Sequence, residues 1–373
     1  MENIKPKLLK LDIQFFAGGV EELNLEQALT GRELLTYSRN LATPQNYLAD
    51  LFFPARETSE LTVDVVTASS RLPVMAQIGE LGTQVEYGSR EGMTGSRIQI
   101  PKIQRGRAMD EKLVRLLLQD GLRSNELSEI RRTQLDDASY AVDAIKARKE
   151  WIGMQAISTG KVTYAEGGVQ FTADFGYTDD QKPVLSGTDK WSDIANSTPL
   201  VEIQGWVNEA ADRGVLLKRA MTSRHIVSLL LQNKSLRIAY HGDPSGTANP
   251  PQLNKAQLDT LMETHGLPTI VAYDTVARVE KKALVNNRPS FNTVRMMPQD
   301  RFVLLPDGPL GDYLWAKTTE EMMNEIESVE TDSNGIFVFR KINEHPIRIE
   351  TIGVNLAFPS FGFNDSVVTA TVI

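Results

Sequence analysis

The stretch TPQNYLADLFFPARETSELTVDVV, residues 43–66, carries the most information about the fold of this chain. Its first half is a short apolar and aromatic motif that includes Phe52 and Phe53. From Leu61 the pattern changes to period two, because Leu61, Val63 and Val65 alternate with polar residues, and this alternation predicts a β-strand. The stretch therefore indicates an apolar motif that directly precedes a strand.

A second alternating run follows, in which Ile98 and Ile100 are separated by a polar residue. The glycine-rich segment GELGTQVEYGSREGMTGS, residues 79–96, lies between the two runs, and together they predict a long antiparallel hairpin over 61–104. Two strands alone are marginally stable in water, so such a hairpin needs a surface to lie against. The residues leave two interpretations open, since that surface can belong to the same domain or to a neighbouring subunit.

The strongest helix signal covers residues 125–158. Apolar residues recur there at helical spacing, and no proline or glycine interrupts the pattern before Gly153. At about 1.5 Å per residue the helix would be on the order of 50 Å long. We expect the opposite, charged face to be solvated; it carries Glu129, Arg132, Asp136, Asp143, Lys146 and Lys149.

The remaining segments predict a mixed α+β protein. Gly167-Gly168 lies between two alternating runs, which is typical of a compact hairpin. Helical segments at 223–233 and 254–265, with a helix start at Thr198-Pro199, alternate with short apolar runs at 269–272 and 302–305 and predict a compact α/β unit. The last 45 or so residues return to strand patterns, with a tight-turn signal at Asn334-Gly335.

Composition excludes several classes of function. The chain of 373 residues has no cysteine, so disulfides, thiolate metal sites and cysteine nucleophiles are ruled out. The net charge of −8 argues against a protein that grips nucleic acid, because that affinity comes mainly from lysine and arginine. No segment approaches the ~18 apolar residues of a membrane span. LKLDIQFFA, residues 9–17, alternates as an extended arm and has no export-signal pattern.

No catalytic or metal-binding motif is recognisable. The four histidines are far apart, and the patterns of zinc proteases, phosphate loops, dinucleotide folds and serine hydrolases are missing. Asp332-Ser333-Asn334-Gly335 lacks the further acidic ligands of a calcium loop, so a hairpin turn explains it better. We therefore expect no catalytic residue, no cofactor and no metal.

The order and spacing of three motifs resemble the lambda-like major capsid protein E family of tailed double-stranded-DNA bacteriophages. The motifs are residues 43–66, TGKVTYAEGGVQFTADFG at 159–176 and DRFVLLPDGPLGDYLWAKTTEE at 300–321, and LKLDIQFFA supports them. The resemblance implies a Hong Kong 97 type capsid fold. It divides the chain into an N-terminal arm (1–56), an extended loop (57–108), a peripheral domain (109–191 and 329–373) with a spine helix at about 125–158, and an axial α/β domain (192–328).

The same resemblance implies a structural protein that assembles as pentamers and hexamers into an icosahedral or prolate head around the DNA genome. Its partners would be copies of itself, a portal protein and optionally a decoration protein, with packaged DNA near it only non-specifically and no membrane. Only 43 residues precede Pro44, so we expect any scaffold to be a separate protein. Assembly would take place in the cytoplasm of the host bacterium, and the mature protein would reside in the virion.

Three residues are candidates for contacts between subunits: Arg90 and Glu91 at the hairpin tip, and Lys102 near its base. Some capsid relatives cross-link subunits through a lysine and an asparagine, but no local motif here identifies such a pair. Two alternative functions remain. An encapsulin-like compartment shares the fold, although LDIQFFA and NYLADLFF favour the viral shell, and a soluble α/β enzyme with an unrecognised site is the other.

Overall fold

The chain divides into two units in a computed structural model. This model describes Tyr37, Leu41, Pro44 and residues 46–67, 94–109, 111–117, 124–166, 169–242, 250–281, 290–323, 334–344, 347–362 and 364–373. The first unit contains residues 1–43, 102–146 and 317–356, and the second contains 44–101, 147–316 and 357–373. The chain thus passes from one unit to the other within a long helix and again within a long strand.

The helices of the described residues are α1 (Ala49–Phe52), α2 (Glu111–Leu117), α3 (Ser124–Thr159), α4 (Pro199–Asp212), α5 (Arg224–Gln232), α6 (Lys234–His241), α7 (Lys255–Thr264) and α8 (Thr319–Met323). The strands are β1 (Ala55–Glu57), β2 (Thr62–Thr67), β3 (Thr94–Gln99), β4 (Lys102–Ala108), β5 (Lys161–Glu166), β6 (Val169–Asp174), β7 (Leu217–Thr222), β8 (Ile270–Ala272), β9 (Val276–Glu280), β10 (Phe291–Arg295), β11 (Arg301–Pro306), β12 (Gly311–Ala316), β13 (Phe337–Glu344), β14 (Ile347–Phe361) and β15 (Val368–Thr371). The mixed content confirms the α+β class.

In the first unit, strand β14 is central and pairs antiparallel with β13 on one side and with β4 on the other. The first part of α3 packs on this sheet. A Cβ at Gly353 of β14 would lie only 3.0–3.1 Å from the side chains of Ile145 and Ala141, so glycine lets helix and strand approach closely. Tyr140 of α3 accepts hydrogen bonds from Arg105 of β4, at 2.9 and 2.7 Å.

The long helix was predicted at 125–158 and is observed at 124–159, but its charged face is only partly solvated. Glu129, Arg132, Asp136 and Asp143 are exposed as expected. Two lysines are not: Lys146 is 6% exposed and Lys149 is 4% exposed. The prediction was wrong for these two because each ammonium has a partner in its own unit. Lys146 donates to the carbonyl of Leu41, and Lys149 lies 3.8 Å from the Asp50 carboxylate.

The second unit contains a four-stranded sheet in the order β15-β11-β7-β8. Helices α4 to α7 cover one face of it and enclose a core that includes Trp191, Trp206 and Phe302. Since side chains alternate along a strand, Thr369 points to the opposite face, between the core residues Val368 and Ala370. There its hydroxyl donates to the carbonyl of Ser158 at 2.6 Å, so the end of α3 lies against that face.

The predicted helices at 223–233 and 254–265 are confirmed as α5 and α7, capped by Ser223 and Asn254. Helix α6 was not predicted. Asn233 ends α5, and its side chain then accepts from the amides of Ser235 and Leu236, so the chain starts a second helix where the sequence suggests only an end. Hairpin β5–β6 agrees with the signal at Gly167-Gly168, whereas hairpin β9–β10 was not predicted.

Gly311 offers a test of packing in the second unit. A Cβ there would overlap the carbonyl oxygen of Ser360 and lie 2.8 Å from the amide nitrogen of Gly362, so the backbone would have to move. We expect Gly311→Ala to lower the free energy of unfolding by about 3 kcal/mol, measured by urea denaturation. Gly362→Ala is the matched control, because its Cβ would meet Leu310 at an ordinary 3.7 Å. Equal stability of both variants would contradict this packing.

Candidate assembly elements

The apolar motif that precedes the hairpin is anchored within its own subunit. Phe53 is fully buried, and its ring lies edge-on to Phe361, with centroids 5.0 Å apart. The backbone on both sides of it is also held, since the amide of Leu310 donates to the carbonyl of Phe52 and the amide of Tyr313 donates to that of Pro54, each at 2.8 Å. The motif is therefore part of the core of the second unit.

Glu150 fastens the start of this motif. Its carboxylate accepts hydrogen bonds from the amides of Leu48 at 2.9 Å and Ala49 at 2.8 Å, and also from the hydroxyl of Tyr273. The two amides lie at the beginning of α1, where backbone N–H groups have no partner within a helix. One side chain of α3 thus joins three segments that are far apart in sequence.

Burial dominates the electrostatics of this carboxylate, which is 2% exposed. Desolvation raises the pKa of Glu150, although the hydrogen bonds from Tyr273, Leu48 and Ala49 act in the opposite direction. Burial and the neighbouring Glu150 carboxylate raise the pKa of Tyr273, so its hydroxyl keeps its proton and donates.

The base of hairpin β2–β3 is packed in its own subunit. Val63 and Ile98 face each other in the antiparallel register and are 1% and 8% exposed. The amide of Ile100 donates to the carbonyl of Leu61 at 2.9 Å, which closes the base. The predicted strands are confirmed for 62–67 and 94–99, while the outer part of the hairpin, 68–93, lies outside the described residues.

Of the three predicted contact residues, Arg90 and Glu91 also lie outside the described residues. Lys102 does not belong to the hairpin strands but begins β4, opposite Leu356 of β14. Its ammonium forms an ion pair with Glu320 of the same unit, and this hydrogen bond holds the pKa of Glu320 below its usual value. Its role in contacts between subunits remains a prediction.

Sequence reasoning missed the role of Glu150. In the sequence it is one charged residue among many in a helical segment, and its partners lie about a hundred residues away on either side. The only local signal was the following apolar sequence, which marks this part of α3 as buried. A charged residue in a buried helical turn needs a partner, but the sequence cannot name that partner.

Among the described residues, the histidine, aspartate and glutamate side chains form no group of three or more that could hold a metal ion. Nor does any helix of this part of the chain have the length and apolar character needed to cross a membrane.

The fold matches solved capsid structures. A protein assigned as a prophage capsid protein of E. coli CFT073 superposes with a TM-score of 0.57 at 15% sequence identity, covering 92% of this chain and 99% of that one. A phage-related protein from Bordetella bronchiseptica RB50 gives a TM-score of 0.52 at 13% identity, covering 90% and 95%. The architecture is thus the mixed α+β capsid fold of Hong Kong 97 type.

The family follows from the sequence itself. The family model of phage major capsid protein E matches residues 30–371, and the chain belongs to that family. No individual curated protein matches the sequence. The protein is therefore a structural component of the virion that associates with copies of itself to form the phage head shell, and it is not an enzyme.

Replacing Glu150 tests the anchor. In Glu150→Gln one of the two backbone amides faces an NH₂ group instead of an acceptor, so we expect a loss of about 1–3 kcal/mol of stability. The folded-state pKa of Glu150 is raised above the ordinary 4.5, so ionisation weakens the wild type as pH rises through the interval between these values. Glutamine does not titrate, so the stability of the Glu150→Gln variant should not follow this change. The difference in stability between the wild type and the variant should therefore narrow as pH rises.

The measurement is urea denaturation of the unassembled protein between pH 4 and pH 8. Glu129→Gln is the control, since Glu129 is exposed on the same helix and should leave stability unchanged. A stability difference that widens with pH would mean that the folded protein favours the ionised carboxylate, contrary to this account.

Proposed function

We propose that the chain builds a closed icosahedral or prolate head from pentamers and hexamers, and that this head encloses the double-stranded DNA genome. Membership of the capsid family supports the proposal, and closed symmetry is the usual way in which one chain covers a large surface. The net charge of −8 suits a container that must hold DNA without binding it tightly.

The observation that carries the proposal is the anchored base of hairpin β2–β3. Its first strand follows a motif that is held by Phe53 and Glu150, so the entry to the hairpin is anchored in the subunit's own core, which supports the proposal. Residues 68–93 lie outside the described residues, and we assign to them the part of the family's extended loop that contacts a neighbouring subunit. The outer half of the hairpin therefore lies, in this proposal, against a neighbouring subunit and not against its own domain.

We also propose that the chain has the domain division of its family: arm 1–56, extended loop 57–108, peripheral domain 109–191 and 329–373, and axial domain 192–328. Helix α3 then serves as the spine. We further propose that Arg90 and Glu91 meet polar groups of the neighbour. Exposed ion pairs contribute only about 0–1 kcal/mol each, so these contacts tune assembly rather than drive it.

The proposed partners beyond further copies are a separate scaffolding protein, a portal protein and an optional decoration protein, with assembly in the cytoplasm of the host bacterium. Chemical catalysis, cofactors and metals have no part in this function. The shell forms by burial of apolar and polar surfaces between copies.

Shortening the hairpin tests the proposal. Thr67 and Thr94 are paired in the observed register, so a two-residue Asn-Gly turn can replace residues 68–93 and join them directly. We expect a soluble, cooperatively unfolding protein that no longer forms shells under conditions in which the wild type does. Electron microscopy and sedimentation measure assembly, and circular dichroism measures folding.

The control variant keeps the length of the arm and replaces only Arg90 and Glu91 by serine. It should still form shells, with a modestly higher critical concentration. Normal particles from the shortened variant would show that the arm is not needed between subunits. If the shortened variant does not fold, residues 68–93 belong to the core of their own subunit.

A further inference from the structure

Helix α4 contains a glycine that the described residues of its own subunit do not explain. Gly205 lies in the middle of the helix, where glycine is less stable than alanine because it has more backbone freedom to lose. A Cβ at this position would meet no atom within 4 Å, so no described neighbour requires the residue to be small. A close approach from outside the subunit would require it.

The residues around Gly205 form an outward face. Val201, Gly205, Asn208 and Asp212 follow each other at spacings of three and four, which places them on one side of α4. Val201 is 64% exposed, while the opposite side buries Ile203 and Trp206 in the core. Glu209 and Asp212 are exposed acids at the C-terminal end of α4, and neither side chain has an ion pair among the described residues.

Hairpin β9–β10 presents a second exposed face. None of its ten strand residues is buried. One face is fully exposed; it carries Val276, Arg278, Glu280, Phe291, Thr293 and Arg295. Val276 and Phe291 are each 47% exposed, and the Arg278 guanidinium lies 5.3 Å from the Phe291 ring centre. Arg295 already pairs with Asp274 at 3.0 Å, so Arg278 is the cation of this face that has no carboxylate partner among the described residues. A two-stranded hairpin without a buried face is not stable in isolation.

The two faces complement each other. The α4 face combines an exposed valine with two carboxylates, and the β9–β10 face combines exposed apolar side chains with two arginines and one glutamate. We propose that the outward face of α4 in one copy receives the exposed face of β9–β10 of a second copy, with Gly205 providing the room for close contact. The proposal rests on the proposed function, because it names a contact inside the shell.

The positions of the two faces suit such a contact. Trp206 packs α4 against Trp191 and Phe302, and Trp191 donates through its amide to Val372, beside the edge strand β15. Hairpin β9–β10 follows β8, the opposite edge of the same sheet. A contact between two different faces of one chain is heterologous, and it closes into a ring when the rotation between copies allows.

Gly205→Ala separates this contact from folding. Alanine is the better helix former, so the unfolding midpoint of the unassembled protein should rise by about 2 °C. The added methyl occupies the space for the partner, so the critical concentration for assembly should rise roughly fivefold, and Gly205→Leu should abolish shells. A variant that is more stable yet assembles less well cannot be explained by damage to the fold.

Ala211→Leu is the matched control. Ala211 is exposed on the same helix but lies about 120° round the axis from Gly205, since successive residues turn by about 100°. The Ala211→Leu variant should assemble like the wild type. If Gly205→Leu forms shells at the wild-type concentration, the proposal is wrong while the proposed function stands. A wild type that never assembles, with scaffold supplied, contradicts both.

Cross-linking identifies the receiving surface. The chain has no cysteine, so Asn208→Cys and Thr293→Cys introduce the only thiols, one on each face. A short bis-maleimide reagent added to assembled double-variant particles should give a ladder of covalent oligomers on a denaturing gel, and each single variant should give none. Shells of the double variant that yield no ladder would overturn the choice of β9–β10 as the partner.

Discussion

The hydrogen bonds of Glu150 are the constraint on which the arrangement of the second unit depends. One buried carboxylate holds the amides of Leu48 and Ala49 and the hydroxyl of Tyr273, and so joins the apolar motif, the long helix and the loop after β8. Such an interaction is specific because a buried charge that loses its partners is costly. It fixes the start of the segment that leads into hairpin β2–β3.

A shell protein has to separate folding from assembly, and its structure divides the chain accordingly. The base of β2–β3 and the motif at Phe53 are buried in their own subunit, whereas β9–β10 and the outward side of α4 expose apolar groups that none of the described residues covers. Exposed apolar side chains on a folded domain are typical of surfaces that bind another protein. Because this chain associates with copies of itself, we propose a further copy as the partner of these surfaces.

The sequence predicted those parts of the fold that are encoded locally. Helical spacing predicted α3 almost to its ends, the residues at Ser223 and Asn254 mark the starts of α5 and α7, and the alternating runs predicted the strands of β2–β3. It did not predict the burial of Lys146 and Lys149, the role of Glu150 or hairpin β9–β10. The first two depend on partners that are distant in sequence, and the strands of β9–β10 lack a buried face, so neither case leaves a clear local pattern.

The central claim is that the entry to the hairpin is anchored before assembly while the outward faces find their partners only in the shell. Hydrogen–deuterium exchange of unassembled and assembled protein tests it most directly. The account predicts that the amides of Leu48 and Ala49 are protected in both states, and that peptides covering 276–281 and 201–212 gain protection only in shells. Rapid exchange at Leu48 and Ala49 in the unassembled protein, followed by protection after assembly, would contradict it.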